Sequence, residues 1–329
     1  MEFPRKLSSF PYYPNVQLDP ASAYQWNELN ETEFLFYFFQ CLHEEMGPAF
    51  HAYNFFIFSS HDPEVIPSSA YSYIPNKILF FISDESSSVR SIYYALQLQA
   101  SYQYIFKSYL PSELPHTRVF PFQLGYVRDV PRLQIKSIKD RSNDIFFSGN
   151  LNPNRVSMYN AVNPVTRALP SRFANWLIRH LHPTLRCQTL DKCIRLSVPN
   201  SRIAFTDGFK HGLAGEEYAR LLHDSKIALC PKGFISSETF RHIEAMRSGT
   251  VIISEELPST PFYRGSPIVV VRDWRFGLSK AKRLLKSPDF LADLQTATLN
   301  WWEEVCSERA TAKYVWDIIR THRASLPGV

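Results

Sequence analysis

The sequence lacks paired cysteines, long apolar runs and the start of a secreted protein. Its five cysteines are widely spaced and contain no Cys-x-x-Cys pair, so neither a disulfide framework nor a zinc site is predicted. No stretch reaches the roughly 18 apolar residues that a membrane-spanning helix needs. Residues 1–6 do not have the basic and then apolar layout of a signal peptide. We therefore expect a cytoplasmic protein in a reducing compartment.

Blocks of basic residues are also missing. The formal net charge is +5, but lysine and arginine are scattered along the chain. Because no motif that reads DNA or RNA accompanies them, we expect no nucleic-acid partner. Apolar residues make up 45% of the chain and charged residues 20%, a balance typical of a folded protein with a sizeable core.

The length of 329 residues exceeds what one hydrophobic core usually supports, and predicts two domains of roughly 150 residues each. Short apolar runs alternate with helix-length segments in both halves. In the first half the runs are 54–59, 76–83, 102–106 and 119–124, after a helix at 33–46. In the second half they are 144–149, 202–205, 227–230, 250–253 and 268–271, with a helix near 167–182. This alternation predicts an α/β protein with two Rossmann-like domains.

The composition becomes charged and polar between residues 125 and 143, which places the domain boundary there. The predicted domains are an N-terminal domain (1–130), a linker (131–142) and a C-terminal domain (143–290). The last segment (291–329) has a helical period, and we expect its helices to pack back on the N-terminal domain.

The segment 218–254 carries the chemistry. A predicted strand ends in a turn at Pro231-Lys232-Gly233, and a serine-bearing stretch then opens a helix that Gly249 suits as its C-terminal end. In an open parallel sheet, ligands bind at the carboxyl ends of the strands, where the start of a helix offers backbone amides to a phosphate. We therefore expect a phosphate-binding loop at this turn.

Four polar side chains share one face of the predicted helix, because Ser237, Arg241, Glu244 and Ser248 are spaced i, i+4, i+7 and i+11. Arg241 can fork onto phosphate oxygens, and Glu244 can accept hydrogen bonds from the vicinal hydroxyls of a ribose. The alternative is that Arg241 and Glu244 form a solvated surface pair and that the serines only cap the helix. Spacing alone gives the two interpretations equal weight.

The order of these residues resembles the C-terminal part of the exostosin-like glycosyltransferases. That family has a strand ending in proline, a glycine, a serine-rich turn, an arginine, a Glu-Ala pair, a glycine and a further strand. Here the pattern is Lys226-Ile227-Ala228-Leu229-Cys230-Pro231-Lys232-Gly233, Ser236-Ser237, Arg241, Glu244-Ala245, Gly249 and Thr250-Val251-Ile252-Ile253. The run 144–150 with Arg155 resembles the strand and glycine turn that opens the donor domain of the family.

The resemblance implies a GT-B fold, in which two Rossmann-like domains face each other across a cleft. It also implies transfer of a sugar from a nucleoside-diphosphate donor, with inversion and without an essential metal or other cofactor. The sequence has no Asp-x-Asp motif to hold a metal, and basic groups with helix amides can stabilise the leaving diphosphate instead. The expected donor-binding residues are Gly149, Arg155, Lys232, Gly233, Ser236, Ser237, Arg241 and Glu244.

Inversion needs a base that removes the proton of the acceptor hydroxyl, and we expect it in the N-terminal domain. Asp84 and Glu85 follow the more regular predicted strand and are the first candidates; Asp62 and His61, past the preceding strand, are the second. For each of these residues taken alone, a role in a turn or a cap is the favoured alternative.

The sequence thus predicts a hexosyl or related sugar transferase that uses a nucleoside-diphosphate sugar and a glycan or lipid-linked acceptor in surface polysaccharide synthesis. Such acceptors lie at the inner membrane face, so we expect a peripheral membrane contact. Two alternatives remain. One is a non-catalytic GT-B-like subunit that binds a nucleotide sugar or glycan, which would lack a usable base. The other is an enzyme that hydrolyses or epimerises a nucleotide sugar, which would need no acceptor.

Overall fold

The computed structural model of the protein describes residues 13–60, 65–82, 85, 88–150, 152–162, 198–206 and 212–323. The chain divides into two compact units. Unit 1 comprises Met1–Arg128, Pro258–Arg264 and Glu303–Val329, and unit 2 comprises Asp129–Leu257 and Gly265–Trp302. The segment predicted as a linker, 131–142, belongs to unit 2.

The described residues form strands and helices in alternation. The strands are β1 Val16–Leu18, β2 Asn54–Ser59, β3 Lys77–Ile82, β4 Tyr104–Lys107, β5 Val119–Pro121, β6 Asn143–Asn150, β7 Arg202–Thr206, β8 Ser225–Cys230, β9 Val251–Ser254 and β10 Val269–Val270. The helices are α1 Thr32–Met46, α2 Ser88–Leu98, α3 Val156–Val162, α4 Gly215–His223, α5 Phe240–Arg247, α6 Trp274–Leu285, α7 Pro288–Trp301 and α8 Glu308–Arg323. Within this part of the chain, no helix is both long and apolar enough to cross a bilayer.

Unit 1 is built on a parallel sheet of five strands in the order β1-β2-β3-β4-β5. Its central strand β3 is buried along its whole length, as expected for a parallel strand covered on both faces. The aromatic residues of α1 form much of the core, where Phe38 and Phe39 pack on Phe80 of β3 with ring centroids 5.4 and 5.3 Å apart. Helix α8 packs against α1 in the same unit.

Unit 2 is built on a second parallel sheet, in the order β10-β9-β8-β6-β7. The chain passes from β6 outward to β7 and then returns to the other side of β6 as β8. This reversal creates a switch point between β6 and β8, and in open α/β sheets the crevice at the carboxyl ends of such strands is where ligands bind. The two parallel sheets confirm the predicted α/β class with two Rossmann-like units.

The sequence pattern locates the long strands within two or three residues, but it missed β1, whose three residues are too few for a pattern. The helix predicted near 167–182 lies outside the described residues. In the segment 291–329, whose helices were predicted to pack on the N-terminal domain, α8 lies in unit 1, whereas α7 lies in unit 2. There α7 contacts α5, α6 and β9.

The end of α5 is closed as the sequence predicts. Gly249 follows the helix with a φ of +61°. Its amide donates to the carbonyl of Met246 at 3.0 Å, and the amide of Thr250 donates to the carbonyl of Ala245 at 2.9 Å. This pair of bonds is the Schellman arrangement, which places glycine at the left-handed position. A Cβ at Gly249 would also lie 2.8 Å from the side chain of Leu299 on α7.

The substitution Gly249→Ala should lower the free energy of unfolding by roughly 1–2 kcal/mol through the left-handed backbone alone, with a further loss from the contact with Leu299. Urea unfolding followed by circular dichroism measures the change. Gly277→Ala, inside α6 and without a positive φ, is the control: its Cβ would lie 3.2 Å from Val271, and helix propensity favours alanine by about 1 kcal/mol, so the net change in stability should be about 1 kcal/mol or less. Equal losses in the two variants would contradict this account of the helix end.

Candidate functional site

The predicted donor-binding residues lie at the switch point of unit 2. Two loops meet there: the β6 loop, residues 150 and 152–155, and the β8 loop, residues 231–239. Because β6 and β8 are neighbouring parallel strands, their carboxyl ends and the loops that follow lie side by side. The residues of these two loops, with Phe147, Ser148, Gly149, Arg241 and Glu244, are called the switch-point site below.

Two guanidinium groups lie over the same aromatic ring, that of Phe147. The Cζ atoms of Arg241 and Arg155 lie 4.9 and 5.8 Å from the ring centroid of Phe147, a distance at which the ring face attracts a cation. Gly149 makes this approach possible. A Cβ there would lie 2.7 Å from Nη2 of Arg241 and 3.1 Å from Nη1 of Arg155, so any side chain would displace one of the two groups.

Arg241 has one donor that no residue in the described part of the chain accepts. Its Nη2 and Nε donate to the carbonyl oxygen of Ser148 at 2.8 and 3.2 Å. Its Nη1 is shielded from solvent and has no hydrogen-bond partner in the described part of the chain. A buried charged donor without an acceptor is costly and calls for an explanation in a native structure. An anion at this edge of the sheet would supply the missing acceptor.

Arg155 instead holds the two loops together. Its side chain is 4% exposed; Nε donates to the carbonyl of Lys232 at 2.9 Å, and Nη1 donates to the backbone and side-chain oxygens of Asn150 at 2.8 and 2.9 Å. The peptide of Lys232 is fixed on its other side as well, because its amide donates to Oε2 of Glu255 at 2.6 Å. Glu255 directly follows β9, so three neighbouring strands contribute to this network.

The β8 loop is further fixed by two asparagines. The side-chain amides of Asn152 and Asn154 donate to the carbonyl of Gly233 at 2.9 and 3.1 Å, and that of Asn154 also donates to the carbonyl of Phe234. The amide of Gly233 donates to the carbonyl of Ser236 at 2.8 Å and closes the turn. Hydrogen bonds therefore hold the β8 loop at Lys232, near its start, and at Gly233 and Phe234, which with Ile235 form what we call its tip.

Helix α5 starts later than the sequence predicts, so the predicted row of four polar side chains on one helix face is wrong at its first member, Ser237. Thr239 is the N-cap and α5 begins at Phe240, so Ser237 lies in the loop and not on the helix with Arg241, and neither Ser236 nor Ser237 is the cap. The reason is His242, whose Nδ1 accepts the amide of Thr239 at 3.1 Å in the place that Glu or Gln takes in a usual capping box. Ser236 accepts the amide of Glu238 at 3.2 Å.

Glu244 is buried, with 6% of its surface exposed. It accepts the hydroxyl of Tyr218 on α4 at 2.7 Å. Burial and, next, the charge of Glu244 raise the pKa of Tyr218 well above its ordinary value, so the tyrosine stays a donor to this carboxylate. Glu244 is therefore not part of a solvated surface pair, the alternative that spacing alone left open.

Of the predicted bases, the structure describes only Glu85, which lies in unit 1 in a short turn after β3 and is half-buried. Asp84, Asp62 and His61 lie outside the described residues. The identity of the base therefore stays a prediction.

Sequence reasoning missed several residues that organise the site. Phe147 lies two residues before Gly149 on the same strand. Because alternate residues of a strand share a face of the sheet, the sequence could have placed Phe147 beside Gly149. Asn152 precedes Pro153 at the start of a short helical turn, a recognisable cap, and its Oδ1 accepts the amide of Asn154 at 2.7 Å. The bonds of Glu255 and Tyr218 join residues distant in sequence, which no local pattern shows.

Comparison with known proteins finds solved structures that resemble this chain at low sequence identity. No family model and no curated protein matches the chain. Among solved structures, TarM has 10% identity and a TM-score of 0.46, covering 80% of this chain and 54% of TarM, so this chain spans about half of that protein. HepE of Anabaena in complex with UDP-glucose has 9% identity and a TM-score of 0.49, with 85% and 82% covered.

An alpha-glucosyltransferase in complex with UDP-glucose and DNA containing an abasic site has 12% identity and a TM-score of 0.48, covering 81% of this chain and 80% of that one. Because one fold can host many activities, function depends on the residues of the switch-point site.

Stability should depend on pH through His242. Burial lowers the pKa of His242 from 6.5 to about 3, so the folded protein keeps this ring neutral while the unfolded chain takes up a proton below pH 6.5. Stability should therefore fall as the pH drops from about 6.5 towards 3, by up to about 1.4 kcal/mol per pH unit for this group.

Urea midpoints measured between pH 7 and pH 4 test this expectation. His242→Gln should reduce the slope of stability against pH, whereas the same substitution at the exposed His51 should leave it unchanged. If the His242 variant kept the full slope of the wild type, the histidine would not be the group responsible.

Proposed function

We propose that the switch-point site binds a nucleoside-diphosphate sugar and that the protein transfers the sugar to an acceptor hydroxyl. One observation carries the proposal: Arg241, in the first turn of α5, is held against Phe147 and Ser148 and has a buried donor, Nη1, without an acceptor among the described residues. The first amides of an α-helix also lack acceptors within the helix. A diphosphate offers oxygens to both the guanidinium and these amides.

The chemistry follows from where charge develops. In transfer, the acceptor oxygen bonds to the anomeric carbon, the nucleoside diphosphate leaves with the electron pair of the broken C–O bond, and a base takes the acceptor proton. Arg241, Lys232 and the amides at the start of α5 would stabilise the charge on the departing diphosphate, the task that a metal performs elsewhere. Arg155 would act by positioning the two loops rather than by contact. We place the base in unit 1 and propose an inverting reaction.

The nucleoside would lie along α5. Glu244 is three residues after Arg241, about 4.5 Å further along the helix axis. Its Oε2 is held by Tyr218, which fixes the orientation of the carboxylate. We propose that Glu244 accepts hydrogen bonds from the ribose hydroxyls, so the donor runs from ribose at Glu244 to diphosphate at Arg241. The acceptor would be a glycan or lipid-linked glycan of surface polysaccharide synthesis.

A thermal-shift panel tests the donor class. The purified protein is heated with UDP, GDP, CMP, ADP and their common sugar conjugates, because a ligand that binds only the folded state raises Tm. We expect a clear shift with one of the diphosphate series, those of UDP, GDP or ADP, and none with CMP, whose conjugates carry a single phosphate. No shift with any of them at millimolar concentration would contradict the proposal.

Arg241→Ala should weaken binding of the nucleoside diphosphate about 10- to 100-fold, since a hydrogen bond to a charged group contributes roughly 1.5–3 kcal/mol. Isothermal titration measures the Kd. The matched control is Arg283→Ala on α6, which also removes an arginine placed over a phenylalanine ring, at 5.5 Å from Phe276, but away from the switch-point site. Equal affinity in the Arg241 variant and the wild type would exclude Arg241 as a phosphate ligand.

A further inference from the structure

The tip of the β8 loop exposes two adjacent apolar side chains. Phe234 is 47% exposed and Ile235 is 43% exposed, whereas the apolar residues of β6, β8 and β9 beneath them are buried. Single exposed apolar residues are common on protein surfaces. A pair at the edge of a candidate ligand site is more informative, because pockets for small molecules combine a few polar groups with apolar and aromatic walls.

The tip is fixed in place and is not a loose surface loop. Asn152, which is 3% exposed, and Asn154 hold the carbonyl of Gly233. Asn154 also holds the carbonyl of Phe234 itself, and the amide of Gly233 is bonded to Ser236. The backbone that carries the Phe234 ring is therefore held from both sides, as a preorganised ligand contact requires.

The proposed orientation of the nucleoside-diphosphate sugar puts its sugar at the tip of the β8 loop. In the proposed function, on which this step rests, ribose lies at Glu244 and the diphosphate at Arg241 and the helix start. The third part of a nucleoside-diphosphate sugar, the sugar, then lies beyond the N-terminus of α5. The β8 loop occupies that position, since it leads directly into Thr239 and α5.

We propose that Phe234 packs against the C–H face of the donor sugar and thereby determines how much the sugar adds to donor affinity. A pyranose ring has one face lined with C–H groups, and an aromatic ring offers a flat apolar surface of similar size. Ile235 extends this surface. The ligand class at the tip is therefore a hexopyranose carried on a nucleoside diphosphate.

The experiment compares each nucleoside diphosphate with its sugar conjugate. Isothermal titration of UDP against UDP-glucose, of GDP against GDP-mannose, and of ADP against ADP-glucose, is carried out on wild type, Phe234→Ala, Phe234→Trp and Phe290→Ala. Phe290 is 53% exposed on α7 and serves as the matched control. The Tm of each free variant is measured alongside; an exposed residue should change it little.

In the series that binds, the wild type should bind the sugar conjugate more tightly than the diphosphate. Phe234→Ala should weaken binding of the conjugate by about two- to tenfold, the range of an aromatic contact, and leave the diphosphate unchanged. Phe234→Trp should retain the difference, and Phe290→Ala should match the wild type for both ligands.

Each other outcome overturns the inference in a distinguishable way. If neither diphosphate nor conjugate binds the wild type, the proposed function fails and this step fails with it. If the diphosphate binds but Phe234→Ala weakens both ligands equally, the ring contacts the nucleoside rather than the sugar. If Phe234→Ala changes neither, or the wild type gains nothing from the sugar, the β8 loop tip is not a sugar contact, although the donor site stands.

Discussion

The absent side chain at Gly149 is the constraint on which the switch-point site depends. Phe147 presents its ring beside this glycine, and the guanidinium ends of Arg241 and Arg155 occupy the space that a Cβ would need. Bringing two cations to one strand end is unfavourable without compensation. The aromatic face, the carbonyl of Ser148 and the oxygens of Asn150 provide it. Among the described residues, the Nη1 atom of Arg241 is the donor of this cluster that has no acceptor.

Hydrogen bonds connect Arg155 and its neighbours to the other loops at the carboxyl ends of the strands. Arg155 joins the end of β6 to the β8 loop, and Glu255 joins the same loop to the end of β9. The far end of α5 is anchored as well. The buried guanidinium of Arg141 donates to the carbonyl of Ser248 at 2.7 Å and to that of Ser225 at 2.8 Å, and burial lowers its pKa to about 10. Helix α5 is thus held at both ends by hydrogen bonds to neighbouring elements.

The sequence predicted the parts of the fold that depend on local pattern. Continuous apolar runs revealed the central strands, because a strand such as β3 is buried along its whole length. Gly249 was correctly placed at a helix end, since the left-handed backbone there favours glycine. The three-residue strand β1 has too little pattern to be recognised and forms only by pairing with β2.

Parts of the site could not be predicted because they depend on tertiary contacts. The start of α5 is decided by His242, whose ring reaches both the amide of Thr239 and the hydroxyl of Ser254, the latter at 2.8 Å. No local rule favours Thr239 over Ser236 or Ser237 as the cap. Likewise, spacing placed Arg241 and Glu244 on one helix, but only the packing of β6 and α4 around that helix shows that Arg241 bonds to Ser148 and Glu244 to Tyr218.

A crystal structure of the protein with a bound nucleoside diphosphate tests the central claim most directly. We expect diphosphate oxygens within about 3 Å of Nη1 of Arg241 and of the first amides of α5, with the ribose beside Glu244. A diphosphate bound away from the carboxyl ends of β6 and β8, with Nη1 of Arg241 still without an acceptor, would contradict it.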